Sequence, residues 1–466
     1  MLLIFPLIYI SVTIITLREF LKGNIQYFFF FIVFALSIYT TALSVVYKYG
    51  FSIIIGILQS TKEIFVLLFF TWVVYHYKAK LKLHFIDYSI GSYFLLSLFY
   101  ALLPIGGQDF FERMIALKSL SFFFLIYAIA RLYDPKKIYI NKYFLNILIL
   151  AVLAGVVVLF EVITNQHLQS RTGYADFNYY FFNFEPSGNY GLSWTFESAG
   201  GFKRFGSFFA NPLEHAASTL IALAILAALY TTEDYKIKID NFGIIALLAT
   251  LTSIVFAFSR SSLLSYILII YAYGLINKKK YINKTIHYAV LMLTSYFVYI
   301  LIKGINENNG LLEVIVNTFN FSDPSSVGHV LEWVEGLNSI YLHPFGLGLG
   351  SSGRVAGSLG DHIGGENQFI IIGVQLGVLG IIIYMSIFFS IIKNARNWYY
   401  KLHGKEKTMC LAIFLIKVAF IIPLFTSEIE TSSYISYLTW FLTGIFVNMI
   451  SQKEKEINEP KVSNWN

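Results

Sequence analysis

Apolar runs long enough to cross the ~30 Å hydrocarbon core of a membrane recur along nearly the whole chain, and no other feature constrains the fold as strongly. Inside lipid no water is present to satisfy the backbone, so each run must close its own hydrogen bonds as a helix. Thirteen runs are legible, near 2–17, 25–47, 51–75, 85–103, 114–130, 143–163, 214–230, 243–258, 261–276, 286–303, 367–392, 409–427 and 434–450. They predict an all-α polytopic integral membrane protein of about 12–13 transmembrane helices. The first run is followed, not preceded, by charged residues (Arg18, Glu19 and Lys22), and no small-residue cleavage site ends it, so it reads as a span. With 13% charged against 57% hydrophobic residues, no separate soluble domain fits. Residues 1–450 read as a single bundle and 451–466 as a polar tail.

The net charge of +7 invites a nucleic-acid partner, but its distribution excludes one. Lysines and arginines gather in alternate connections: Arg18/Lys22, Lys78/Lys80/Lys82, Arg131/Lys136/Lys137, Lys236/Lys238, Lys278–Lys280 and Lys393/Arg396/Lys401/Lys405/Lys407. Connections rich in Lys and Arg stay on the cytoplasmic side. The segment 304–366 instead carries one Arg against seven Asp and Glu. Loops 164–213 and 304–366 are therefore expected to be extracytoplasmic and the tail cytoplasmic. Cys410 is the single cysteine, which excludes an intrachain disulfide.

One polar stretch in this otherwise apolar chain runs from Asp323 to Gly380. Asp323-Pro324 is a helix start, and Val327, Val330, Leu331, Val334, Leu337 and Tyr341 then recur at helical spacing, predicting an amphipathic helix. Packing on the membrane surface accounts for that helix without any function. Next comes His343-Pro344-Phe345-Gly346-Leu347-Gly348-Leu349-Gly350, whose glycines free the backbone to turn closely, as around a ligand. Arg354 follows, and then Glu366-Asn367 at the start of an apolar helix. The first long loop is rich in aromatics, which suit either sugar rings or an interfacial belt. It ends at Arg204, just before a span. Ser259-Arg260 falls in a tight connection between two spans on the expected outer side. An arginine at that depth costs on the order of 2–3 kcal/mol, so it calls for a partner: lipid phosphate, or the phosphate of a bound ligand. Lys62, Glu63, Lys118 and Lys417 fall within spans, where charges face the bundle interior and pair.

Taken together, these elements resemble the O-antigen ligase/polymerase superfamily, membrane enzymes that handle undecaprenyl-diphosphate-linked glycans. The resemblance covers Arg204 to Gly380. It comprises the Arg-x-Gly-Ser-Phe…Asn-Pro segment from Arg204 to Pro212, the Ser259-Arg260 pair, and the His-Pro-x-x-Gly-x-Gly run from His343. The ligases end on a pattern similar to His-Asn, nine residues, then Gly-x-x-Gly; here Asn367 precedes Gln368–Leu376 and Gly377-Val378-Leu379-Gly380, with Glu366 at the histidine position. That departure points to a repeat-unit polymerase. A ligase moving finished glycan to lipid A or protein is the alternative within the superfamily. A transporter or flippase for lipid-linked sugars is the alternative of another class, and it predicts paired halves that this sequence lacks.

The resemblance implies a GT-C-like membrane glycosyltransferase bundle with a large, partly helical extracytoplasmic loop, in the bacterial cytoplasmic membrane. It implies a lipid-diphosphate-linked glycan donor and acceptor as substrates, with a chain-length regulator and a flippase as further partners. No cofactor and no metal are expected. Arg260 and Arg204 would bind diphosphate with Arg354 as a third cation, Asn367 and His343 would contact substrate, and Glu366 would be the base. His362 reads as a surface histidine.

The orientation is directly testable. A single cysteine at Ser187, in a Cys410→Ser background, should react with a membrane-impermeant thiol reagent in intact cells. Labelling only after lysis would invert the topology.

Overall fold

The computed structural model describes residues 2–76, 83–133, 138–198, 201–304, 324–359 and 363–458. Apart from two isolated β-bridges, every regular element among them is helical. The first half of the chain forms α1 (Ile4–Leu21), α2 (Tyr27–Phe34), α3 (Tyr39–Lys48), α4 (Ser52–His76), α5 (Phe85–Leu102), α6 (Phe110–Ser121), α7 (Phe123–Leu132) and α8 (Ile140–Thr164). The second half forms α9 (Pro212–Leu229), α10 (Asn241–Phe256), α11 (Arg260–Ile276), α12 (Lys280–Gly304), α13 (Pro324–Leu342), α14 (Gln368–Tyr399), α15 (Gly404–Thr426) and α16 (Ser433–Asn458).

All thirteen apolar runs are helical. Among the described residues nine helices are long and apolar enough to cross a membrane, counting Tyr27–Lys48 as one, and ten if the α6–α7 pair, bent by 45°, is one span. Two of the runs are short. Helices α10 and α11 have 16 and 17 residues. At 1.5 Å per residue they rise only about 24–26 Å, less than the hydrocarbon core. The amphipathic helix expected after Asp323-Pro324 is α13, which packs on α14.

The middle of the bundle is α9, α15 and α16, which are buried along most of their length, whereas α1 and α4 are largely exposed on its flank. Helix α15 packs against α9, α11 and α14, and α16 packs against α7. Polar contacts clamp the two ends. At one end Arg131 of α7 pairs with Asp87 of α5 at 2.9 Å and donates to Ser451 of α16. At that same end Lys407 donates to the Glu233 carbonyl at 2.8 Å. The opposite end gathers the long loops.

The decisive local feature is a break in α14. Gly377 has φ 70° and ψ −171°, so the 32-residue helix is two helices joined at a kink. A break strands the carbonyls of the preceding turn, and buried stranded carbonyls are costly. Here the glycine-rich run satisfies them: Leu347 N donates to Val374 O at 2.7 Å and Gly348 N to Gln375 O at 3.2 Å. In return Val378 N donates to Pro344 O at 2.9 Å. Gly346, Gly348 and Gly350 all adopt positive φ to make this approach. The run therefore turns around the broken helix.

Any side chain at Gly377 would be strained in its backbone and would collide with Pro344 O. Gly377→Ala should cost about 1–3 kcal/mol or more. Its thermal unfolding in detergent should fall well below that of the parent, and unchanged unfolding would mean that the break is not built in.

Candidate functional site

The site end of the bundle is assembled from four stretches far apart in sequence. The first is the segment from Arg204 to Pro212. Asn211 caps α9, its Oδ1 accepting from Leu213 N (3.0 Å) and Glu214 N (2.9 Å), with Pro212 at the first helical position. Upstream, buried Glu161 at the end of α8 accepts from Ser207 N and Leu168 N, both at 2.8 Å. Gln169 Nε2 donates to the Ser207 and Phe209 carbonyls. These contacts hold the approach to α9 rigid and leave Arg204 just outside it.

The second stretch is the tip of the α10–α11 hairpin. Phe258 sits in the left-handed region at φ 48°, unusual for an aromatic residue, and Ser259 caps α11 by accepting from Ser262 N. Phe205 N donates to Phe256 O at 3.0 Å, stitching the Arg204 segment onto this tip. Arg260, exposed at the first position of α11, thereby lies close to Arg204.

The third stretch is the start of α14. Asn367 is buried and its Oδ1 caps the helix, accepting from Phe369 N at 3.0 Å and Ile370 N at 3.2 Å. Its neighbour Glu366 is exposed. Burial lowers the affinity of the Arg204 guanidinium for its proton, and the charge of Arg260 lowers it further; Glu366 and Glu197 act in the opposite direction. Two arginines and one carboxylate, drawn from three separate stretches, thus share one electrostatic neighbourhood. The Nε of Arg204 is buried without a hydrogen-bond partner.

The fourth stretch is the connection from α15 to α16. Glu428 Oε1 accepts from Arg354 N at 2.7 Å. Burial pushes the Glu428 carboxyl up to about 8, against the pull of that hydrogen bond and of the Arg354 charge; the charge of Glu366 pushes in the same direction as burial. Burial thus favours the neutral acid of Glu428. Beside it a cavity is lined by Ser119, Arg354, Gln368, Gln375, Glu428 and Glu430. Glu430 accepts from Tyr384 at 2.7 Å and lies 3.8 Å from Lys417, whose ammonium is 4.4 Å from the Trp440 ring centroid.

Arg204, Arg260 and Glu366 therefore come together, and Arg354 stands nearby on the Glu428 side. Exposed His343 heads the run that wraps the α14 break, and Asn367 is occupied by its cap. His362 lies outside the described residues. The aromatics of the first loop divide: Tyr174 and Phe196 pack with Leu192 as a core of the loop itself, whereas Tyr179, Tyr180, Phe182 and Trp194 are exposed. The intramembrane charges pair as expected, Lys118 with Glu63 at 3.0 Å and Lys417 with Glu430.

Sequence reasoning missed Glu428 and Glu430. The available signal was the acidic sequence Ser427-Glu428-Ile429-Glu430 between two apolar runs, on the same expected side as both long loops. No model of a known protein family matches the chain, and no curated protein matches it either.

Proposed function

We propose that this multi-pass protein is a membrane glycosyltransferase of the GT-C-like kind, which polymerises undecaprenyl-diphosphate-linked oligosaccharide repeat units on the outer face of the bacterial cytoplasmic membrane. The observation that carries the reading is the convergence of Arg204, Arg260 and Glu366 at one end of the bundle.

The acceptor hydroxyl oxygen attacks the anomeric carbon of the donor, and the bond from that carbon to the diphosphate oxygen breaks with the electron pair leaving on the diphosphate. Arg260 and Arg204 meet the developing charge, since a guanidinium stays protonated and binds phosphate oxygens bidentately. The unpartnered Nε of half-buried Arg204 offers one such donor. The hydroxyl proton passes to the Glu366 carboxylate, which is exposed at the mouth of α14. Glu428, protonated below about 8, donates a hydrogen bond to a sugar oxygen and does not compete as the base. The reaction draws its energy from the diphosphate bond and requires no nucleotide.

Variant proteins expressed at normal level in a deletion strain test these roles. Glu366→Gln keeps shape but loses proton acceptance, so polymer should fall about 10²–10⁴-fold while single lipid-linked repeats accumulate. Arg260→Lys keeps the charge but loses the bidentate fork, and should lose most activity. Glu428→Gln mimics the neutral acid in shape and should retain far more polymer than Glu366→Gln. Near-normal polymer from Glu366→Gln would reduce that carboxylate to a helix-start residue and refute its role as base.

A further inference from the structure

A second cationic site lies on the flank of the bundle, away from Arg204 and Arg260. Lys118 of α6 bridges to Glu63 of α4 at 3.0 Å, and Lys62 lies 3.9 Å from the same carboxylate, with its ammonium 4.1 Å from the Tyr39 ring centroid. The Lys118 side chain is 53% exposed. On α6 it shares a face with Phe111 and Ile115, which are exposed and apolar, while α4 presents exposed Ile57, Ile64 and Leu67. That face is a lipid-contact face by composition, and Lys118 is the charge set into it.

Two lysines share one carboxylate. The cluster is therefore cationic where an uncompensated charge costs on the order of 2.5–3.5 kcal/mol. An anion would complete it. Lys62 lies about 15 Å along α4 and Lys118 about 12 Å along α6, each counted from the helix start, so a phosphate reaching them is drawn below head-group level into the ~30 Å hydrocarbon core. Both starts lie at the site end. Lys48, just before α4, donates to the Arg171 carbonyl of the first long loop, and Gly106, just before α6, abuts the Leu347 carbonyl of the glycine-rich run. Inward, Lys62 lies within reach of the charges of Glu214 and Arg354, the latter hydrogen-bonded through its backbone to Glu428. Charged groups thus lead in sequence from the lipid-facing wall, through Lys118, Glu63 and Lys62, to the cavity beside Glu428.

We propose that Lys62 and Lys118 form a lateral binding site for the phosphate head of a long-chain lipid phosphate or diphosphate, whose tail stays in the bilayer against α4 and α6. Given the proposed polymerase reading, on which this assignment rests, it is a second lipid-diphosphate position, as a reaction between two lipid-linked glycans requires. Glu63 holds the two cations when the lipid is absent and yields them when it binds.

The test uses the full chain in neutral phosphatidylcholine nanodiscs, titrated with undecaprenyl diphosphate and, separately, with inorganic pyrophosphate, with bound equivalents counted by native mass spectrometry. The intact protein should retain two lipid equivalents, and Lys62→Gln/Lys118→Gln should retain one or bind the second at least about tenfold more weakly. Loss of that equivalent supports the site even in a protein that makes no polymer, which separates its fate from that of the polymerase reading. Two equivalents retained by the folded double variant would overturn it, as would pyrophosphate binding as tightly as the lipid. Should the double variant fail to insert, Glu63→Gln decides: removing the competing carboxylate should tighten lipid binding, and unchanged affinity would overturn the site.

Discussion

Everything at the site end depends on how one broken helix satisfies its backbone. In lipid or a dry protein interior, an interrupted helix leaves carbonyls that must find donors. Gly377 makes the interruption, and the backbone of Leu347 and Gly348 supplies the donors. That exchange ties the second long loop to α14, and the side chain of Gln375 extends it by accepting from Gly350 N and donating to Ser352 O. Arg354, two residues further on, is thereby set against Glu428. The first half of α14 becomes a short, fixed helix whose capped start presents Glu366.

The sequence made the membrane character and the helical runs legible because the lipid rule is strong and local. Span number was less legible, since length is judged against a membrane and two of the apolar runs, α10 and α11, are short hairpin helices. The spacing from Asn367 to Gly377 was visible, but its meaning was not. The glycines of the run wrap the backbone of α14, and a stranded carbonyl leaves no trace in composition. Asn367 is a cap, which its position before an apolar run already favours. Glu428 escaped notice because its chemistry comes from burial beside Arg354, a contact across 74 residues of sequence.

The charges inside the bundle follow one pattern. Three cations are matched with a carboxylate or an aromatic face: buried Arg131 with Asp87, buried Lys417 with Glu430 and Trp440, and half-exposed Lys118 with Glu63. Such pairs are weak evidence for stability, because desolvation offsets most of their attraction. Their placement is more informative. The Arg131 pair locks the end rich in lysine connections, whereas the other two lie toward the end where Arg204, Arg260, Glu366 and Glu428 gather. The bundle keeps one end as a structural clamp and assembles its cations and acids at the other.

The proposed reaction at this end joins lipid-linked glycans. Purified protein reconstituted in proteoliposomes and given only undecaprenyl-diphosphate-linked repeat units tests it most directly. A ladder of multimers is expected, with one free undecaprenyl diphosphate released for each new linkage and no requirement for a nucleotide sugar. Repeat units that stay single, whether left in place or merely moved across the membrane, would contradict it.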